Sequence, residues 1–243
     1  MWNRVELKRT AKERFTANYW LCVIVAVVIT LITGRMNFRF DINLSNIGAS
    51  GWKTTYSFES LQAMRNLIGR FLLPSFVTAG TMGALASIAF AVFVGNPLTV
   101  GGRRFFVENV DNKGELKHLL TGFDGDVYLK NVVTMLLMLV YIVLWSLLLV
   151  IPGIIKACEY WMVPYLLADR PELTRQEAFA ESRRMMRGNK MRAFALYLSF
   201  FWWYILSVLT AGLAYYFYVG PYIMQTEAQL YRTLRDTPTE AEY

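Results

Sequence analysis

The sequence predicts an all-α polytopic membrane helix bundle, with about six transmembrane helices in hairpins plus short amphipathic cytoplasmic helices. Three observations predict it. Between Arg192 and Glu227 the chain runs 34 residues without a charged side chain. As one helix that stretch would be about 50 Å long at ~1.5 Å per residue. The hydrocarbon core of a bilayer is only ~30 Å thick, so the segment is expected to cross, turn at Thr210-Ala211-Gly212 and cross back. Second, four stretches carry no charge at all: Phe15–Gly34, Phe71–Gly102, Asn131–Ile155 and Ala193–Thr226. Each is long enough to span, and in lipid each must satisfy its backbone internally as a helix. Third, 55% of the residues are hydrophobic and 18% charged, with mean hydropathy +0.32. A soluble domain carries charge on about a quarter of its residues.

Residues 1–243 read as one integral membrane domain, and its elements follow in order. Residues 1–18 form a cytoplasmic amphipathic segment. Val5, Leu7, Ala11 and Phe15 are interleaved with Arg4, Lys8, Arg9, Lys12 and Arg14, which suits a helix lying on the membrane surface. Helix one covers Tyr19–Thr33, with Tyr19-Trp20 at the inner interface. A basic start before an apolar run also fits a secretory signal. No small-x-small cleavage site follows at Leu31-Ile32-Thr33-Gly34-Arg35, which favours an uncleaved helix. Residues 35–70 form an extracytoplasmic loop whose end, from Ser57, takes helical spacing. Helix two covers Phe71–Val94. Pro74 sits in its first turn, Gly80, Gly83, Ala84 and Ala86 give it a close-packing face, and Gly95-Asn96-Pro97 ends it.

Residues 98–130 read as a polar cytoplasmic connector. Asp124-Gly125-Asp126 within it is a turn rather than a calcium loop, because the other ligand positions are absent. Helix three covers Val132–Val150, with Pro152-Gly153 as the turn beyond its end. Residues 154–168 either return as a weaker fourth crossing or lie at the interface. The second cytoplasmic connector, residues 169–192, holds a soluble helix opened by the capping box Thr174-Arg175-Gln176-Glu177. Ala178, Phe179, Ser182, Met185 and Met186 share its apolar face, which rests on the bilayer or on the bundle. Helix five covers Phe194–Leu209 and helix six Leu213–Leu230, interrupted at Gly220-Pro221. Val163-Pro164-Tyr165, Gly220-Pro221-Tyr222 and Gly95-Asn96-Pro97 echo one another, consistent with three helix-hairpin units.

Charge sets the expected orientation. With six crossings, residues 1–14, 98–130, 169–192 and the tail after 226 share one side and carry 19 Lys and Arg, against five in the 35–70 loop. The positive-inside bias makes the richer side cytoplasmic, with both termini there. The net charge of +7 is split among short loops, which argues for anionic lipid as a partner and against nucleic acid.

Few residues carry chemistry. Cys22 and Cys158 sit in apolar stretches and read as small buried hydrophobes. The single histidine, His118, cannot form a histidine-based metal cluster, and no nucleophile elbow, P-loop or dinucleotide fingerprint occurs. No catalytic, cofactor-binding or metal site is therefore assigned. Lys156 and Glu159 form the candidate intramembrane polar pair, because ionisable groups at membrane depth are costly and their i,i+3 spacing puts them on one face. The alternative is that Lys156 snorkels to the interface beside the Pro-Gly turn. Arg103, Arg104, Arg183, Arg184, Arg187 and Lys190 are candidate anionic-lipid contacts, either as a defined pocket or as general surface attraction.

Ile151-Pro152-Gly153-Ile154-Ile155-Lys156 with Tyr160, Leu167-Ala168-Asp169-Arg170-Pro171-Glu172, Glu177-Ala178, Ser182-Arg183 and Met186-Arg187-Gly188-Asn189-Lys190 resemble the bacterial integral membrane family called domain of unknown function 975. Pro221-Tyr222, Glu227-Ala228 and Tyr231 fit its last helix, and Arg9, Ala11, Lys12 and Tyr19-Trp20 fit its start. The resemblance implies a multi-pass bacterial membrane protein and supplies no activity. The expectation is a plasma-membrane protein that is not an enzyme, acting as an accessory or partner-binding bundle. The alternative is a small transporter or lipid-translocating protein whose polar path includes Lys156 and Glu159.

Overall fold

The computed structural model describes residues 2–33, 86–111, 113–210 and 212–237. Two units divide the chain, residues 1–36 with 91–243 and residues 37–90. Within the second, residues 86–90 are helical. The expected loop over 35–70 and helix two up to residue 85 lie outside the described residues.

No strand occurs among the described residues. The helices are α1 (Arg4–Ala17), α2 (Tyr19–Thr33), α3 (Asn96–Asp111), α4 (Gly125–Leu148), α5 (Val150–Glu159), α6 (Val163–Asp169), α7 (Arg175–Met186), α8 (Lys190–Leu198), α9 (Phe201–Leu209) and α10 (Gly220–Asp236). Wide π-type turns over Ala91–Gly95 and Tyr215–Val219 lead into α3 and α10, and a 3-10 helix over Leu116–Phe123 precedes α4. Two described helices are long and apolar enough to cross a membrane, Gly125–Leu148 and Lys190–Leu209, the latter comprising α8 and α9. α1 and α2 add a third only if taken as one span bent by 98°. In each of the two spans only 22% of the apolar window is buried, so most of its apolar surface faces outward.

The expected turn at residues 210–212 is present and makes a hairpin. Gly212 takes φ +88°, a left-handed conformation that costs a glycine little, and its amide donates to the Ser207 carbonyl at 2.7 Å. Tyr204 meets Tyr215, Trp203 meets Tyr218 and Phe200 meets Tyr222, stepping outward along both arms. A second hairpin bends at Leu149, whose backbone is extended at φ −159°, ψ 144°. There the ladder runs from Gly153 against Ser146, through Lys156 over Trp145, to Tyr160 against Tyr141. A β-carbon on Gly153 would lie 2.8 Å from the Ser146 Cα, so only glycine lets the two arms meet this closely. The turn therefore falls before Pro152-Gly153 rather than on it. Pro152 occupies the first turn of α5, where a missing N–H costs nothing.

Proline organises the centre of the fold. Pro97, Pro164 and Pro221 each stand at the second position of a helix, α3, α6 and α10 respectively. Pro97 has no N–H for the Phe93 carbonyl four residues back, and the Tyr128 hydroxyl donates there at 2.9 Å. Pro221 leaves the Phe217 carbonyl in the same position, and the Tyr19 hydroxyl donates to it at 2.9 Å. The π-type turns before both prolines widen the helix where the normal bond is missing. Two members of the sequence echo, at Pro97 and Pro221, are thus one repeated structural joint.

Three expectations change. Gly95-Asn96-Pro97 does not end a helix, since the chain stays helical through it to Asp111. Residues 98–111, expected as the first part of the 98–130 connector, are mostly buried, because Phe105, Phe106, Val107 and Val110 supply an apolar face against α2, α6 and α10. Second, residues 154–168 are not one helix. α5 has ten residues and α6 seven, about 15 and 10 Å at ~1.5 Å per residue, and neither alone spans ~30 Å. Third, the apolar face of α1 meets protein. Leu7, Ala11 and Phe15 are buried, and Phe15 packs on Tyr218 and Tyr222 of the last hairpin arm. The α7 face is also decided. Ala178, Phe179, Ser182, Met185 and Met186 are all buried, with Phe179 against Tyr160 and Tyr141, so α7 rests on the bundle.

Candidate functional site

α5 places Lys156 and Glu159 one turn apart, and their side chains meet at 2.7 Å. The tertiary fold adds a second cation. Lys190, the first residue of α8, reaches the other Glu159 oxygen at 2.6 Å, so one carboxylate bridges two ammonium groups. The Ser182 hydroxyl of α7 donates to the Glu159 carbonyl at 2.7 Å and holds α5 against α7. Arg183, Arg187 and Met191 complete a cavity of about 470 Å³ around this bridge. Four cations thus face one carboxylate. Arg183 donates its Nε to the Phe179 carbonyl, and neither Arg183 nor Arg187 makes an ion pair among the described residues.

The other sequence-selected cations lie elsewhere, each with a carboxylate. Arg104 pairs with Glu108 at 2.7 Å and donates to the carbonyls of Ala168 and Asp169. Arg184 forks onto both oxygens of Glu181 at 2.6 and 2.8 Å. Arg103 is 9% exposed and enclosed by protein. They differ from Arg183 and Arg187, which have no such acidic neighbour among the described residues.

Arg103, expected as a lipid contact, instead belongs to an interior site whose pairing the sequence reading did not foresee. Its guanidinium donates to Glu227 at 2.8 Å and to the Tyr165 hydroxyl at 2.7 Å, and that hydroxyl donates to the same Glu227 oxygen at 2.8 Å. The three residues come from α3, α10 and α6, the helices that begin with Pro97, Pro221 and Pro164. Arg103 and Glu227 each stand six residues beyond their proline. That shared spacing is the sequence signal that could have found the pair. A cavity of about 280 Å³ adjoins it, lined also by Thr30, Tyr197, Tyr204 and Tyr215.

A second set of charges fastens the loop between α6 and α7. Asp169 accepts from the Tyr231 hydroxyl and from Arg235, both at 2.8 Å. Burial and the Asp169 charge hold the Tyr231 hydroxyl above its usual range, so it stays a donor at neutral pH. Arg170 reaches across to Glu181 at 3.2 Å. The hydrogen bond from Arg184, and then that from Arg170, hold the Glu181 carboxyl below its ordinary value despite burial. A depressed carboxyl contributes stability above its unfolded pKa of about 4.3, and this is lost as pH falls through the lower folded value. Melting in mild detergent is therefore expected to drop on acidification through that window, and less in Glu181→Gln. Parallel melting curves for the two proteins would refute the assignment.

His118 serves the backbone, its Nδ1 accepting from the Glu115 amide at 3.4 Å. Cys22 and Cys158 are free and buried.

Together these features define an all-helical protein with helices able to cross a membrane and a basic cavity at the start of one of them. Residues 146–237 match the family described as Protein of unknown function (DUF975). The match bears out the resemblance over that span, which holds both hairpin turns, the basic cavity and Glu227. The quoted N-terminal residues, Arg9 to Trp20, precede it. No curated protein and no solved structure matches the chain.

Proposed function

We propose that the protein is a multi-pass bacterial plasma-membrane bundle, with six crossings and both termini cytoplasmic, which works without catalysis as an accessory or partner-binding protein. The carrying observation is the division of labour among helices. α4 and α8 with α9 turn most of their apolar surface outward, whereas α3, α6 and α10 bury theirs around paired charges. The first group suits a lipid solvent. The interior ions of the second are spent on one another, joining helices. The hairpin at Gly212 supports paired passes at the end of the chain described.

Thiol labelling tests this, with little background because both native cysteines are buried. Leu149→Cys and Leu213→Cys, at positions 64% and 62% exposed, are expected to react with an impermeant reagent in intact cells. Arg9→Cys and Asp236→Cys are expected to react only after permeabilisation. Termini labelled from opposite sides would overturn the topology.

The cavity beside Arg103 and Glu227 favours a second reading, a small transporter or lipid-translocating protein. Its polar path would run there rather than through Lys156 and Glu159. Under that reading Thr30→Cys becomes accessible from each side in turn, and in a closed bundle from neither.

A further inference from the structure

We propose that the cavity framed by α5, the end of α7 and the start of α8 binds the phosphate of an anionic membrane lipid. The inference rests on the reading of Lys190–Leu209 as a membrane span and adds a ligand to it. Lys156, Lys190, Arg183 and Arg187 converge on the cavity with one carboxylate among them. That carboxylate is consumed, since Lys156 and Lys190 each hold one of its oxygens. Among the described residues Arg183 and Arg187 are left as cations without an acidic partner, and a planar guanidinium matches the oxygens of a phosphate. Glu159 has a positioning role, fixing the two ammonium groups side by side at the rim. Lys190 also opens α8, whose first-turn amides add partial positive charge.

Apolar surface begins where the cations stop, and this selects a lipid over a free anion. Met191, next to Lys190 and lining the same cavity, is 77% exposed. Ile154 and Ile155 of α5 and Phe194 of α8 are exposed as well. A phosphate seated among the cations would carry its acyl chains onto this surface. Inorganic phosphate has no use for it. Lys190, which lines the cavity, is also the first residue of the apolar stretch Lys190–Leu209, and the end of a span is where it would meet headgroups.

The test uses the full chain in phosphatidylcholine nanodiscs carrying spin-labelled phosphatidylglycerol or spin-labelled phosphatidylcholine. The readout is the motionally restricted fraction of each lipid. The wild type is expected to favour phosphatidylglycerol, and Arg183→Gln with Arg187→Gln to reduce that preference on the order of tenfold. A control with equal charge loss at exposed positions, Arg9→Gln with Arg175→Gln, is expected to keep it. Equal loss in both double variants would reduce the cavity to general surface attraction and overturn the proposal. Displacement of the restricted lipid by inorganic phosphate would reassign the site to a free anion. Restriction of neither lipid would overturn the membrane reading and the proposal with it, whereas equal restriction of both would overturn the cavity alone. The restricted phosphatidylcholine fraction reports that each variant remains folded in the bilayer.

Discussion

Glu227→Leu is expected to destabilise the protein by about 3–5 kcal/mol, because it strands the Arg103 guanidinium in the interior. The side chains of Arg103 and Glu227 are 11% and 12% exposed, so water cannot replace the lost carboxylate. The Tyr165 hydroxyl loses its acceptor at the same time. Arg103 stacks over the Tyr165 ring at 4.8 Å, and that contact does not compensate an unpaired charge. Combining Glu227→Leu with Arg103→Leu removes both charges and both desolvation costs. Their coupling is therefore expected to make the double variant more stable than Glu227→Leu alone. Unfolding in detergent, followed by loss of helical signal, measures the cycle. Additive losses would mean that the two residues act independently.

Asp169→Ala is expected to cost on the order of 3 kcal/mol. The Asp169 side chain is 11% exposed and accepts from α10 twice, through Tyr231 and Arg235, while Arg104 of α3 approaches at 3.7 Å. Its loss leaves a buried tyrosine hydroxyl without an acceptor and unfastens the end of α6 from the C-terminal helix. Asp236→Ala is the matched control. Asp236 also pairs with Arg235, at 2.9 Å, but its side chain is 61% exposed, and its removal is expected to stay within about 0.5 kcal/mol. Equal effects at the two positions would show that burial does not set the strength of these pairs. Asp169 and Arg170 thus bind opposite partners from adjacent positions, Asp169 the last helix and Arg170 the Glu181 carboxylate of α7. That gives the Leu167–Glu172 motif a mechanical role.

Much of the local structure is legible in the chain. The turn at Gly212 follows from length alone, since a charge-free run cannot exceed the thickness it crosses. The capping box at Thr174 and Glu177 forms both of its reciprocal bonds, because capping needs only residues three apart. The Lys156–Glu159 contact follows from helical spacing in the same way. The buried face of α7 is readable residue by residue, although its cover is not. Periodicity shows which side of a helix is apolar and is silent on whether lipid or protein meets it. For the same reason the apolar face of α1 reads as a membrane surface helix, yet lies under Tyr218 and Tyr222.

What the sequence by itself determined is the helical class, the hairpin at residues 210–212, the capping box at Thr174 and Glu177 and the contact between Lys156 and Glu159. Only the tertiary structure decided which cations are free. Arg104 and Arg184 have Glu108 and Glu181 one helical turn away along the chain, whereas Arg103 meets its carboxylate only through folding. The pair Arg103–Glu227 lies 124 residues apart in sequence. Its partners meet because three proline-headed helices converge. The physical reason is range: backbone geometry and helical periodicity act over a few residues, whereas the pairing of a buried charge depends on which distant helix is packed against it.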